Sequence, residues 1–244
     1  MSQPAETPVF AYRPLYAQVK DRLVRRLIDG VWQPGQLIPS EMELARELGV
    51  SQGTIRKALD AMTAENLLLR RQGRGTYVAE PEDSRILFQF FRLMPDGGEA
   101  VFPTSRILAR TAAAAEPAEA ERLRLPRGAG VVRIERVRAL GERPVMVETL
   151  SLPQARFGEL ATMAEIPNNV YRLYSQRWSV TIGRALERLK AIAATPADAA
   201  ELGCAPGTPL LEISRIAYDL EGNPVELRVS RCLTDSLHYS SELR

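Results

Sequence analysis

Residues 39–78 read PSEMELARELGVSQGTIRKALDAMTAENLLLRRQGRGTYV, and this stretch decides the fold of the first third of the chain. Ser40 can accept a hydrogen bond from the backbone of a helix that it opens. Glu43, three positions on, can answer it, the reciprocal pairing of a capping box. Leu44, Ala45 and Leu48 give that helix an apolar stripe, and Gly49 supplies the left-handed residue that ends it. Ser51 can then cap again, and Ile55, Ala58, Leu59 and Met62 follow at i, i+3, i+4, i+7, which predicts a second helix with a buried face. Its other face carries Gly53, Arg56, Lys57 and Asp60, with Gln52 and Thr54 at its start. Two short helices across a tight glycine turn, the second polar near its N-terminus, make a helix-turn-helix. The second helix of such a pair fits the major groove of DNA.

Working outward, Leu67–Leu69 and Thr76–Val78 read as two strands joined by Arg70-Arg71-Gln72-Gly73-Arg74-Gly75. The glycines allow a tight hairpin, and arginines at its tip can reach phosphates or a minor groove. Upstream, Leu15, Val19, Leu23 and Leu27 predict an amphipathic first helix, stopped by Gly30 and Pro34-Gly35. A basic β-wing directly after a helix-turn-helix is more specific than either part.

Charge agrees. The chain has a formal net charge of only +2, yet residues 1–79 hold eleven Lys/Arg against eight Asp/Glu. Within 51–79, Arg56, Lys57, Arg70, Arg71 and Arg74 face only Asp60 and Glu65. A local cationic end suits an anionic partner. No signal peptide and no bilayer-length apolar run is read from the 244 residues. Two cysteines, Cys204 and Cys232, and one histidine, His238, make neither a disulfide framework nor a zinc set. A reducing cytoplasm is the expected compartment, with no metal, cofactor or membrane implied.

From Pro14 to Val78 the chain resembles the winged-helix domain of the GntR family of regulators. Leu-Gly-Val-Ser before the recognition helix, Thr-Ile-Arg-Lys-Ala-Leu within it and Arg-Gln-Gly-Arg-Gly-Thr-Tyr-Val in the wing carry the resemblance. It departs from the commonest family pattern at Met42 and Gln52, where arginine is usual. The resemblance implies binding to an operator in double-stranded DNA, with Gln52 and Arg56 expected at base edges, since glutamine suits adenine and arginine guanine. Ser40, Thr54, Lys57, Arg71 and Arg74 are expected to position the backbone, and Gly73 and Gly75 to let the wing approach closely.

Residues 80–85 are polar and proline-containing and read as a linker. That divides the chain into a DNA-binding domain over 8–79, the linker, and a second domain over 86–244. Inside the second domain lies a repeat. PAEAERLRLPRGAGVVRIERVRALGERPVMVE aligns with PADAAELGCAPGTPLLEISRIAYDLEGNPVEL. Pro117 matches Pro196, Leu123 matches Leu202, Gly128 matches Gly207 and Arg136 matches Arg215; after one inserted residue, Pro144 matches Pro224. Each half reads as strand, short helix and β-hairpin, so two halves can pair into one antiparallel α+β sheet with pockets beneath its covering elements.

This half resembles the UTRA effector-binding domain of the HutC branch of the same regulators, related in fold to chorismate lyase. RIERVRALGERPVMVETLSLP, NNVYRLYSQRW and GNPVELRVSRCLTDSLHYSSELR carry the resemblance. Arg136 and Arg138 alternate along a strand and so share a face, where two guanidiniums repel unless an anion sits between them. That anion is either an effector or a glutamate of the sheet, Glu135, Glu148 or Glu226. The resemblance implies that the Arg-x-Arg pair contacts an effector's anionic group and that Glu148 takes a polar one. Tyr171, Glu226 and Tyr239 are further candidates, and Thr104 and Ser105 are either loop residues that cap the anion or simple turn residues.

Two other classes compete. A lyase-like enzyme finds no catalytic set here: His238 stands alone near the C-terminus and no glycine-rich phosphate loop opens a helix. A DNA-binding protein whose second domain only dimerises stays open. The favoured expectation is a transcriptional regulator, a repressor acting as a homodimer on a pseudo-palindromic operator and responding to a small anionic metabolite.

Overall fold

A computed structural model describes residues 14–80, 91–97 and 102–241. The chain divides into two units between Ala79 and Glu80. The expected linker lies outside the described residues from position 81 onward.

The first unit holds α1 (Leu15–Ile28), α2 (Glu41–Leu48), α3 (Gln52–Ala64), β1 (Leu68–Arg71) and β2 (Gly75–Val78). Ser40 and Glu43 form the reciprocal capping box, Gly49 ends α2 at φ 64°, and Ser51 caps α3. Val19 and Leu23 of α1, Leu44 of α2 and Ile55, Ala58, Leu59 and Met62 of α3 are the buried stripes of this unit, with α1 and α2 both packed on α3. β1 and β2 pair antiparallel from Leu68↔Val78 to Arg71↔Gly75. Gly75 sits at φ +106°, a backbone conformation that residues with a side chain adopt only under strain, so the backbone demands glycine where the wing turns back.

The second unit is a six-stranded antiparallel sheet in the order β4-β5-β6-β9-β8-β7. Its first repeat is β4 (Thr104–Ala114), α4 (Pro117–Arg122), β5 (Gly130–Leu140) and β6 (Arg143–Pro153). Its second is β7 (Ile182–Ala193), α7 (Pro196–Leu202), β8 (Pro209–Asp219) and β9 (Pro224–Leu233). Proline stands at the first turn of both α4 and α7, where its missing N–H costs nothing. The repeats join where β6 pairs β9, and Thr149 lies opposite Val229. Those two residues differ by the same offset that matches Pro144 with Pro224, so a pseudo-twofold axis normal to the sheet passes between them.

The same symmetry governs the helical face of the sheet. One cluster packs Val137, Val147, Ala194, Leu202 and Leu210. The other packs Ile216, Leu227, Ala115, Leu123 and Val131, residue for residue the repeat mates of the first. α7 contacts β6 and α4 contacts β9, so each helix covers a strand of the other repeat and neither half closes its core alone.

The opposite face is covered unequally. Over one half lie α5 (Gln154–Phe157), a 3-10 turn at Gly158–Ala161, and α6 (Val170–Trp178). Fully buried Phe157 packs on Tyr174 and Trp178 with ring centroids 5.2 Å away in each case. Over the other half lies a two-stranded ribbon of β3 (Leu93–Pro95) and β10 (Leu237–Tyr239). The repeat alone gives no sign of this asymmetry.

Thr104 and Ser105 are placed differently from expectation. They open β4, with Ser105 opposite Arg138 and Thr104 opposite Ala139, not in a loop. β5 runs on to Leu140, and its free backbone groups draw the edge strand out to meet them.

Glu119 of α4 is buried against the sheet, accepting from Arg133 Nε at 2.8 Å and from Ser151 Oγ at 2.7 Å. Burial pushes its carboxyl up, but those bonds and the Arg133 charge outweigh it and hold the pKa at about 2. Its folded-state pKa is therefore depressed, so its contribution, on the order of 2–3 kcal/mol, is present above the ordinary carboxylate range and lost as pH falls toward 2. Urea midpoints of wild type should drop more between pH 5 and pH 3 than those of Glu119→Gln; equal acid sensitivity would refute this assignment. Phe157→Ala should cost about 3–5 kcal/mol of unfolding free energy in the same assay, and a loss below 1 kcal/mol would show that α6 does not depend on this ring.

Candidate functional site

Two clusters of candidate side chains are present, one in each unit. On the first, α3 exposes Gln52, Arg56 and Lys57, while Ile55, Ala58, Leu59 and Met62 fix its opposite face in the core. Arg71 and Arg74 are exposed on the wing, and the Arg71 guanidinium sits 4.7 Å from the Tyr77 ring centroid. Gly73 turns the wing at φ +69°. Ser40 and Thr54 serve the helix starts: Ser40 caps α2, and Thr54 Oγ1 lies 2.9 Å from Ser51 Oγ.

One member of this cluster was not legible as such in the sequence. Glu41 Oε2 accepts from Arg56 Nε at 3.0 Å and from Gln52 Nε2 at 3.3 Å, and Oε1 accepts from Arg70 Nη2 at 3.3 Å. Nothing in helical periodicity links position 41 to 56 or 70; the turn and the wing bring them together.

In the second unit the uncovered centre of the sheet forms a cavity of about 610 Å³, counting its open mouth. The strands contribute Arg136 and Arg138 from β5, Met146 and Glu148 from β6, Ile213 and Arg215 from β8, and Arg228 and Ser230 from β9. The asymmetric cover contributes Asn168 to Tyr171 on one side and Phe91 to Leu93 with Phe102 on the other.

Four arginines here are almost wholly withdrawn from water. Each of three has a carboxylate: Arg136 Nε donates to Glu148 at 2.7 Å, Arg228 donates twice to Glu226 at 2.8 and 2.9 Å, and Arg215 Nε donates to Glu187 at 2.7 Å. Glu148 also accepts from Ser230 Oγ at 2.8 Å and lies 3.8 Å from Arg228 Nη1. Burial opposes its charge, but Arg136, Arg228 and Arg138 hold it well below the usual carboxylate range.

Arg138 is the exception. Only 1% exposed, it stands 3.9 Å from Glu148, which Arg136 already engages. Its Nη2 donates to neutral oxygens, Pro103 O at 3.0 Å and Asn168 Oδ1 at 3.3 Å. Its Nε has no acceptor. The rings of Phe102 and Phe91 lie 4.6 and 5.2 Å from the guanidinium. Burial pulls its pKa down to about 9, so it remains charged at neutral pH with a hydrogen-bond donor unspent.

Of the residues expected to meet an effector, Arg136, Arg138, Glu148 and Tyr171 line this cavity. Thr104, Ser105, Glu226 and Tyr239 do not. Glu226 lies behind the wall, fully buried, and its oxygens are taken up by Arg228, Tyr171 and Tyr174. Tyr239 donates to Glu187 on the far side of Arg215. Arg215, Arg228, Asn168 and the two phenylalanines were missed. Arg215 carried a signal, since it is the repeat mate of Arg136, and so did Arg228, the repeat mate of Glu148; Asn168 and the two phenylalanines come from segments with no counterpart in the repeat. Among the described residues no helix is long and apolar enough to cross a membrane.

Comparison with known proteins agrees with both halves. Residues 15–78 match the gntR family of bacterial regulatory proteins, and residues 100–238 match the UTRA domain. The HTH-type transcriptional repressor NagR of Bacillus subtilis is 30% identical over 214 residues, 87% of this chain and 88% of its own. The histidine utilization repressor of Pseudomonas putida is 49% identical over 76 residues, 31% of each chain. A ligand-binding domain assigned to the GntR family, from Bordetella bronchiseptica, superposes with a TM-score of 0.57 at 33% identity, covering 63% of this chain and 96% of its own. With a UTRA match over more than half its length and a repressor similar across most of it, the chain belongs to the GntR family of bacterial regulatory proteins, as a DNA-binding transcriptional regulator with an effector-binding domain and not as an enzyme.

Proposed function

We propose that this regulator is a cytoplasmic, homodimeric repressor whose affinity for a pseudo-palindromic operator is set by a small anionic metabolite bound over Arg136 and Arg138. The observation that carries the reading is Arg138: a buried guanidinium lining the cavity, 3.9 Å from a carboxylate that Arg136 already engages, with an Nε that has no acceptor. An oxyanion placed there supplies the missing acceptor and neutralises the excess charge, both worth most where water is excluded. Glu148 and Tyr171 would take the polar part of the same molecule, and Phe102, Phe91 and Met146 its apolar body.

On the DNA side, Gln52 and Arg56 read bases, Lys57, Arg71 and Arg74 meet the phosphate backbone, and Ser40, Thr54, Gly73 and Gly75 shape the elements that carry them. Two-fold symmetry of a dimer would impose the symmetry of the operator. By linkage, an effector that weakens operator binding must itself bind less tightly to the DNA-bound form.

Gel shift on the regulator's own upstream DNA tests the first half. Wild type should give footprinted, salt-sensitive binding, and Arg56→Ala/Arg74→Ala should lose it; no sequence preference at low salt, there or in a random pool, would overturn it. For the second half, a screen of phosphorylated and carboxylated metabolites should yield one that shifts wild-type operator affinity. Arg136→Ala/Arg138→Ala should keep operator binding and lose that response. A double variant that responds normally would remove the effector from this cavity.

A further inference from the structure

Three segments expected at the DNA converge on a single carboxylate. Glu41 is the first residue of α2, and its side chain is only 22% exposed, whereas the Arg56 side chain that pairs with it is 57% exposed. The shielded partner is thus the acid, and the arginine is the group presented outward. Arg70, at the root of the wing, is held between Glu41 at 3.3 Å and Asp60 at 2.8 Å. The hydrogen bond from Arg56 holds the Glu41 carboxyl below its ordinary range, so it is ionised at neutral pH.

The geometry of the Arg56 pair matters more than its existence. A guanidinium is a planar fork with five N–H donors, and it can meet an acceptor pair along its side edge, Nε with one Nη, or across its end, Nη1 with Nη2. Glu41 takes the side edge: Oε2 lies 3.0 Å from Nε and 2.9 Å from Nη2. The end of the fork remains. That end is the donor pair that matches O6 and N7 of guanine in the major groove. Adenine presents a donor where guanine presents O6, so a fork locked in this orientation rejects it. Drawing Arg56 off to a phosphate would leave Glu41 shielded and without its main partner, which penalises loose backbone binding.

We infer that Glu41 is a positioning residue for sequence readout, buttressing Arg56 so that its end-on fork reads a guanine in each half-site. This rests on the assignment of Arg56 to base readout made above. It adds a residue on another helix and names the base.

Binding-site selection from a random duplex pool tests it, with full-length wild type, Glu41→Gln, Arg56→Ala, Arg70→Ala and the Glu41→Gln/Arg56→Ala double variant, each checked for folding by circular dichroism. Wild type should select one guanine per half-site that Arg56→Ala no longer selects. Glu41→Gln should lower the preference for that guanine by about tenfold, within the range of one bidentate arginine–guanine contact, and leave the other positions as they are. Its affinity for non-specific duplex should hold or rise, because a negative charge leaves the DNA-facing side. The double variant should be no worse at that position than Arg56→Ala, and Arg70→Ala should keep the guanine. A Glu41→Gln protein with undiminished guanine preference, or one that loses specific and non-specific binding together, would overturn the inference. Loss of the guanine in Arg70→Ala would transfer the effect to the wing and overturn it too. If Arg56→Ala selects the same sites as wild type, the base-readout assignment itself falls, an outcome distinct from failure of the buttress alone.

Discussion

Glu148 is the carboxylate on which the effector domain turns. It stands on β6 beside the seam between the repeats, and it engages Arg136 from the first repeat and Ser230 from the second, with Arg228 of the second 3.8 Å away. Breaking a buried pair by removing one partner is strongly destabilising, because the other charge is left without compensation. The domain therefore tolerates four arginines at its centre only through acids placed among them. Three arginines are matched by Glu148, Glu226 and Glu187, and the fourth, Arg138, is left over. That surplus cation is the observation on which the proposed anionic effector rests.

The twofold repeat explains how the scaffold is built and why the site is not symmetric. On the helical face the symmetry is nearly complete, and even its polar anchors correspond. Glu119 and Asp198 hold the same place in α4 and α7, each capping its own helix and receiving an arginine from the sheet. For Glu119 the arginine comes from β5, with Ser151 on β6; for Asp198 it comes from β9, as Arg231 at 2.7 Å. Ser151 and Arg231 are themselves repeat mates, so the cation has changed strands while the ion pair persists. On the cavity face Glu148 corresponds to Arg228, an inversion of charge that makes the seam attractive instead of repulsive. Unequal covering by α5 and α6 on one half and the β3–β10 ribbon on the other then gives the cavity two chemically different walls.

In the DNA-binding unit, order comes from local interactions. One capping box, a serine cap, a left-handed glycine and short amphipathic stripes specify α2, α3 and the turn. The polar face is the part that needs tertiary structure. Glu41, Gln52, Arg56 and Arg70 span three elements and form one hydrogen-bonded group before DNA arrives. Pre-organised side chains lose less freedom on binding, so the cost of order is met during folding.

The sequence by itself determined the helix-turn-helix, the wing and the two strand-helix-hairpin repeats, because caps, glycine turns and apolar periods act over a few residues. It also placed Arg136 and Arg138 on one face, since alternation along a strand is a local rule. The tertiary structure decided which acid each arginine met and which side chains reached the cavity. Glu226 and Tyr239, expected at the effector, were spent within the wall, while Arg215, Arg228 and Asn168 entered it. It also decided that Thr104 and Ser105 lie in a strand. Pairing among buried charges depends on distances between strands that are far apart in the chain, and on covering segments that follow no repeat. Those distances are set by the closing of the sheet, to which no single stretch of sequence refers.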